Sequence, residues 1–203
     1  AEYKKNEAIL VVKEEAYQKE LGSLVELFGH LQSSAGEAAV QFSGSLTSPQ
    51  YGVERVAFLN DLTSKMSETT ELPTIREIEG LWFELQREMI ASGQVVSFDT
   101  NVIDPDGESS ACNVTRVGLF NAVCDGKYLE YISSTGDYAF LPRQPEGRYT
   151  KTAKKVGNAD VGELVKFGVD PTGPQGGSLL ANLIQTPSLL ERAQQGREVG
   201  YAI

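Results

Sequence analysis

The chain has 203 residues, 40% hydrophobic and 23% charged, with a formal net charge of −10. That is the composition of a folded globular protein with room for one or two domains, and its acidic balance argues against nucleic-acid binding, which needs clustered Lys and Arg. Two cysteines and a single histidine exclude a disulfide-dense scaffold and any Cys-based zinc cluster.

Residues 1 to about 45 read as a long helix carrying a heptad stripe. Tyr3, Leu10, Tyr17, Leu24 and Leu31 recur at seven-residue spacing, with Leu21, Phe28, Ala35 and Phe42 in the alternate series. A period near 3.5 winds an apolar seam that wants a partner helix, in the same chain or another. Glu14 interrupts the seam, and Gly22, Gly29 and Gly36 weaken the helix. A helical hairpin and a coiled-coil stem both remain open. Tyr17, Leu24, Phe28 and Leu31 are the candidate partner surface, unless they close an intrachain hairpin. His30 has no second histidine to work with and reads as structural or surface.

Ser48-Pro49-Gln50-Tyr51-Gly52 is a breaker, and a short helix follows over about 53–67. Thr74-Ile75-Arg76-Glu77, after Pro73, is a capping box. Ile75, Ile78, Leu81, Trp82, Leu85 and Met89 then form one apolar helix face, which assigns Trp82 to the core. Gly93 ends that helix.

From residue 94 the period changes to two. Strands are expected at 95–102, 111–123, 128–132 and 138–141, with turns at Asp104-Pro105-Asp106-Gly107, Asp125-Gly126 and Thr135-Gly136. Connections this short give an antiparallel meander. After Pro142 the sequence predicts a helix near 146–156, a short strand at 164–169, a loop at Asp170–Pro174, a helix over Ser178–Gln185 and another from Ser188. The apolar ending Val199-Gly200-Tyr201-Ala202-Ile203 reads as the edge of a membrane segment following Ile203.

The chemistry-bearing patterns are thin. Asp104–Glu108 fails the register of a calcium loop, because the first ligand would be Val102. Gly173–Ser178 lacks the lysine of a phosphate loop. No serine sits in an elbow motif with a base. A strand over 111–123 places Cys112 and Cys124 near its opposite ends, too far apart for a disulfide unless the chain bends near Phe120-Asn121. No catalytic, cofactor-binding or metal-ligating residue is assigned.

Four further stretches occur in order: Leu72–Ile75 leading into Leu81–Met89, Arg116–Ala122, Leu141–Pro145, and Gln185–Arg192 followed by Val199–Tyr201. Together, from about Leu21 to the end, they resemble the periplasmic region of long proteins of the MotA/TolQ/ExbB proton-channel family. The resemblance implies a non-enzymatic subunit in the periplasm, anchored in the bacterial inner membrane through a segment after Ile203. It further implies ExbB, ExbD and TonB-like partners, with possible self-association. In that family the assembly uses the proton-motive force to drive iron–siderophore uptake. The family's proton-channel residues lie in membrane helices outside this sequence, so none is carried over, and Cys112 and Cys124 are not part of the pattern.

The expected fold is therefore α+β: an N-terminal helical hairpin or coiled-coil stem, a small antiparallel β-meander, and C-terminal helices leading to a membrane segment. The expected division is 1–93 helical, 94–143 meander and 144–203 mixed, with 93–203 open to being one domain that includes the helix at 74–91. The expected function is an interaction and scaffold domain. Two other classes are a small-molecule or glycan sensor using Tyr128, Tyr131 and Tyr138, and a hydrolase built on an acid pair.

Overall fold

A computed structural model describes residues 2–67 and 73–172. Its chain divides into two compact units, one from Ala1–Gln41 with Glu54–Leu85, the other from Phe42–Val53 with Gln86 onward. Helices α1 and α4 contribute to both.

Helix α1 runs unbroken over Glu2–Ser43, so the expected hairpin is corrected to a single helix. A hairpin needs a turn, and this stretch contains no proline, while its three glycines stand singly at seven-residue spacing. Each costs a helix about 1 kcal/mol relative to alanine, too little to reverse the chain. Among the described residues a stem with a buried seam is not found either. Leu10 of the stripe is exposed, as are Ile9, Val11 and Val12 around it.

In the first unit, α1 buries Ala35, Ala38 and Ala39, and α3 (Glu54–Ser67) buries Leu59 and Leu62. Small residues let helices approach, and Gly36 would place a Cβ 3.7 Å from the Thr63 methyl. Helix α4 (Ile75–Ser92) begins on the expected capping box. The Glu77 carboxylate accepts the Thr74 amide at 2.6 Å, and Thr74 Oγ1 accepts the Glu77 amide at 3.3 Å. Lys65 Nζ adds an ion pair to Glu77 at 2.9 Å.

These partners hold the Glu77 carboxyl well below the usual carboxylate range, at about 2, the Thr74 amide contributing most, then Lys65. A folded-state pKa below the unfolded one stabilises the fold above the ordinary carboxyl value of 4.5, and that stability is lost as pH falls towards about 2. Thermal unfolding between those pH values should therefore fall less steeply in Glu77→Gln than in the parent. Thr74→Ala should cost about 1 kcal/mol.

In the second unit the chain passes α2 (Ser48–Tyr51) and forms five strands: β1 Val95–Ile103, β2 Ser109–Val117, β3 Asn121–Cys124, β4 Lys127–Ile132 and β5 Asp137–Phe140. The expected open meander is corrected to a closed barrel in the order β1-β2-β3-β4-β5. Four antiparallel steps leave β1 and β5 pointing the same way. Closure is therefore parallel, through Val102↔Tyr138 and Ile103↔Ala139, and removes both open edges.

The expected strand 111–123 is two strands. Gly118 adopts φ +55 and its amide bonds Gln94 O at 2.9 Å, turning the chain between β2 and β3. A Cβ on Gly118 would lie 2.6 Å from Ser92 O, so only glycine fits this corner.

The barrel core is Val102, Val114, Ala122, Cys124, Leu129 and Tyr138, with Leu46 packed against it. Period-two alternation sends Val123 and Tyr128 outward, where they meet Ala153 of α5 (Gly147–Gly157), Tyr149 and Phe167. The expected strand at 164–169 is irregular backbone. It is held by Tyr128, whose hydroxyl donates to Gly168 O at 2.8 Å and whose ring stacks on Phe167.

The expected inner-membrane anchoring is also corrected: no helix among the described residues is long and apolar enough to cross a membrane. The helices expected at 178–185 and from 188, and the ending Val199–Ile203, lie outside the described residues.

Candidate interaction surfaces

Helix α4 carries more apolar side chains than one buried face can hold. Leu81 and Ala91 are buried, and Ile78 and Leu85 half-buried. On its other side Ile75, Trp82, Phe83, Met89 and Ile90 are 77, 64, 58, 66 and 60% exposed. Trp82 is thus a surface residue, against the expectation that it is core. Its signal was present in the sequence: Ile75, Trp82 and Met89 stand seven apart, as do Phe83 and Ile90. An apolar arc much wider than about 100° implies a second covered face.

Of the predicted partner residues, Phe28 and Leu31 lie half-buried on α1. Tyr17 and Leu24 are on the same helix, and their side chains lie outside the described set. Among the described residues, the large apolar side chains of α1 that do stand exposed are Tyr3, Ile9, Leu10, Val11, Val12, Leu27 and Val40.

The tyrosines considered for ligand sensing are structural. Tyr128 and Tyr138 are buried. Tyr131 OH donates to Ser43 O at 3.0 Å and Tyr138 OH to Leu46 O, so both clasp the segment entering α2. Burial pushes the Tyr128 phenol up to about 12 and Tyr138 higher still, which keeps both neutral donors.

A polar recess of about 350 Å³ lies between the β3–β4 turn and α5, lined by Asn113, Asp125, Lys154 and Asn158 among others. Asn113 is already engaged, donating to Asp99 at 2.7 Å. Beside it, Cys112, Cys124 and Asp125 bring potential ligand atoms together. The two sulfurs are bonded to each other, with Cα atoms 6.4 Å apart, so neither is a thiolate donor. The bond overturns the reading that kept these cysteines apart, because the Gly118 turn sets them on neighbouring strands. His30 is exposed on α1.

No family model, curated protein or solved structure matches the chain.

The residues that organise the second unit bind backbone and one another. Arg116 is fully buried; its guanidinium donates to Ala91 O at 2.8 Å, Gly118 O at 2.5 Å and Gln50 Oε1 at 2.9 Å. Gln144 pairs with both backbone groups of Tyr128, accepting its amide at 2.7 Å and donating to its carbonyl at 3.0 Å, as a strand would. Ser45 and Thr47 donate to the two Glu88 oxygens at 2.5 and 2.6 Å. Arg116 and Gln144 each have a structural reason to be where they are.

Proposed function

We propose that this chain is an interaction and scaffold module of a TonB-type energy-transduction system, helping to couple the proton-motive force to iron–siderophore uptake through contacts with ExbB, ExbD and TonB-like proteins. The observation that carries an interaction role is the run Ile9-Leu10-Val11-Val12 on α1, four consecutive exposed apolar residues. They point around the whole helix circumference, so this one turn, between the charged residues Glu7 and Lys13, is apolar on every side and exposed. The TonB setting rests on the ordered resemblance of Leu72–Met89, Arg116–Ala122, Leu141–Pro145 and Gln185–Arg192 with Val199–Tyr201 to the MotA/TolQ/ExbB family.

The test is co-purification of the full chain with ExbB, ExbD and TonB-like proteins expressed together, beside siderophore-dependent growth. Leu10→Glu with Val12→Glu should reduce capture at least tenfold, about 1.4 kcal/mol, and slow growth on siderophore iron, with unfolding unchanged. Loss of the whole chain without effect on uptake, together with no capture, rules the reading out.

A further inference from the structure

We propose that Cys112, Cys124 and Asp125 form a zinc site that opens when the disulfide between the two cysteines is reduced. All three residues lie within the second unit, and the inference stands without the TonB reading.

Geometry is the first support. The two sulfurs and an Asp125 carboxylate oxygen all lie within 4.8 Å of one another, and among the described residues no other three ligand side chains are grouped so closely. A tetrahedral zinc with Zn–S bonds of about 2.3 Å sets its two sulfurs roughly 3.8 Å apart. Cα atoms 6.4 Å apart accommodate that spacing by side-chain rotation once the sulfurs are no longer bonded. Two thiolates and one carboxylate leave the fourth position to water. This donor set suits zinc better than calcium or magnesium, which take oxygen ligands. Counting cysteines excluded a zinc cluster built on thiolates; the third ligand here is a carboxylate, which that count does not register.

The second support is a frame that does not depend on the bond. Strands β2 and β3 stay paired through Thr115↔Val123, Arg116↔Ala122 and Val117↔Asn121, and the buried Arg116 guanidinium holds the Gly118 carbonyl at their corner. Asp125 is fixed as well. Its φ of +49 and the +77 of Gly126 are the two positive angles of a tight hairpin turn, which sets the acid directly after Cys124. Reduction therefore frees two thiols beside a carboxylate on strands that remain paired.

Access is the third. Cys124 is only 2% exposed, but Cys112 is half-buried and Asp125 is exposed. A reductant reaches the bond through Cys112, and the cation enters from the Asp125 side. A dithiol gives two electrons and two protons to the Cys112–Cys124 bond, which breaks into two thiols while the dithiol closes its own disulfide. Zinc then displaces both thiol protons to solvent as the two Zn–S bonds form.

The test uses the full chain and zinc alone, titrated against a chromophoric chelator with the protein oxidised or reduced by a phosphine. The reduced chain should take one zinc at least tenfold more tightly than the oxidised chain, whose exposed carboxylates set the background. Cobalt should give the reduced chain alone a sulfur-to-metal absorption band in the near ultraviolet. Asp125→Asn keeps a residue suited to the turn. It should weaken zinc binding at least tenfold and leave the thermal unfolding of the oxidised protein unchanged. Zinc should also raise the Tm of the reduced parent without moving that of Cys112→Ala with Cys124→Ala. Equal zinc affinity in both redox forms, a reduced chain that loses its fold or takes up no zinc, or Asp125→Asn binding as the parent does would each overturn the proposal.

Discussion

Arg116→Ala should destabilise the second unit by about 3–5 kcal/mol, the range found when one partner of a buried charged network is removed. The side chain is fully buried and joins three pieces of chain distant in sequence: Gln50 in α2, Ala91 at the end of α4, and Gly118 at the β2–β3 corner. Truncation leaves the Gly118 carbonyl and the Gln50 amide oxygen without that donor, while Ala91 O keeps only its bond from the Gln94 amide at 3.2 Å. Each orphaned group costs about 1–3 kcal/mol, and water entering the cavity recovers part of that. Arg116→Lys should recover only a minor share, because one ammonium cannot span acceptors arranged around a planar fork. Gln50→Ala should cost less than Arg116→Ala, since the two backbone acceptors stay paired. Denaturant titration decides the matter: an Arg116→Ala midpoint corresponding to less than about 1 kcal/mol would mean the guanidinium is not the pin.

What the sequence revealed, and what it hid, follows from how local each signal is. The capping box at Thr74–Glu77, the Asp104–Gly107 turn and the Asp125-Gly126 turn are decided within four residues, and each forms where expected. In the Asp104 turn the Asp104 carboxylate accepts the amides of Asp106 and Glu108 at 3.0 Å. Barrel closure is not local. Nothing between β1 and β5 announces that Val102 will pair with Tyr138, because that contact depends on the coiling of the whole sheet. The corner at Gly118 was hidden for a different reason. Arg116 to Val123 alternates acceptably as one strand, and the steric demand on Gly118 comes from Ser92 O, twenty-six positions earlier in the chain.

The candidate surfaces were partly legible. A seven-residue period on α1 directed attention to Tyr17, Leu24, Phe28 and Leu31, yet the same period on α4 was assigned to core. Amphipathic spacing identifies a face that must be covered without saying whether the cover lies in the same chain. Trp82 illustrates the ambiguity. Its type predicts burial, while the structure leaves it 64% exposed because Leu81 and Ala91 fill the inner side of α4.

Removing the disulfide should have an effect nearly as large as losing Arg116. The bond closes 12 residues of sequence, and the chain-entropy relation gives about 3 kcal/mol for a loop of this length. Its geometry follows from the register. Thr115↔Val123 is a paired position, so Cys124 lies one step beyond it and Cys112 diagonally across on the same inward face. The Cα separation of 6.4 Å fits a diagonal pair. Cys124 packs against Val114 and Leu129 in the barrel core, so substitution there also loses packing. For Cys112→Ala with Cys124→Ala a fall in Tm of roughly 10–20 °C is expected for a unit of this size. Two effects separate cleanly with a reductant. A thiol should lower the parent Tm most of the way to that of the double variant and leave the variant itself unmoved. If the reductant shifts neither protein, the bond contributes nothing to stability, and the Gly118 corner alone holds β2 against β3.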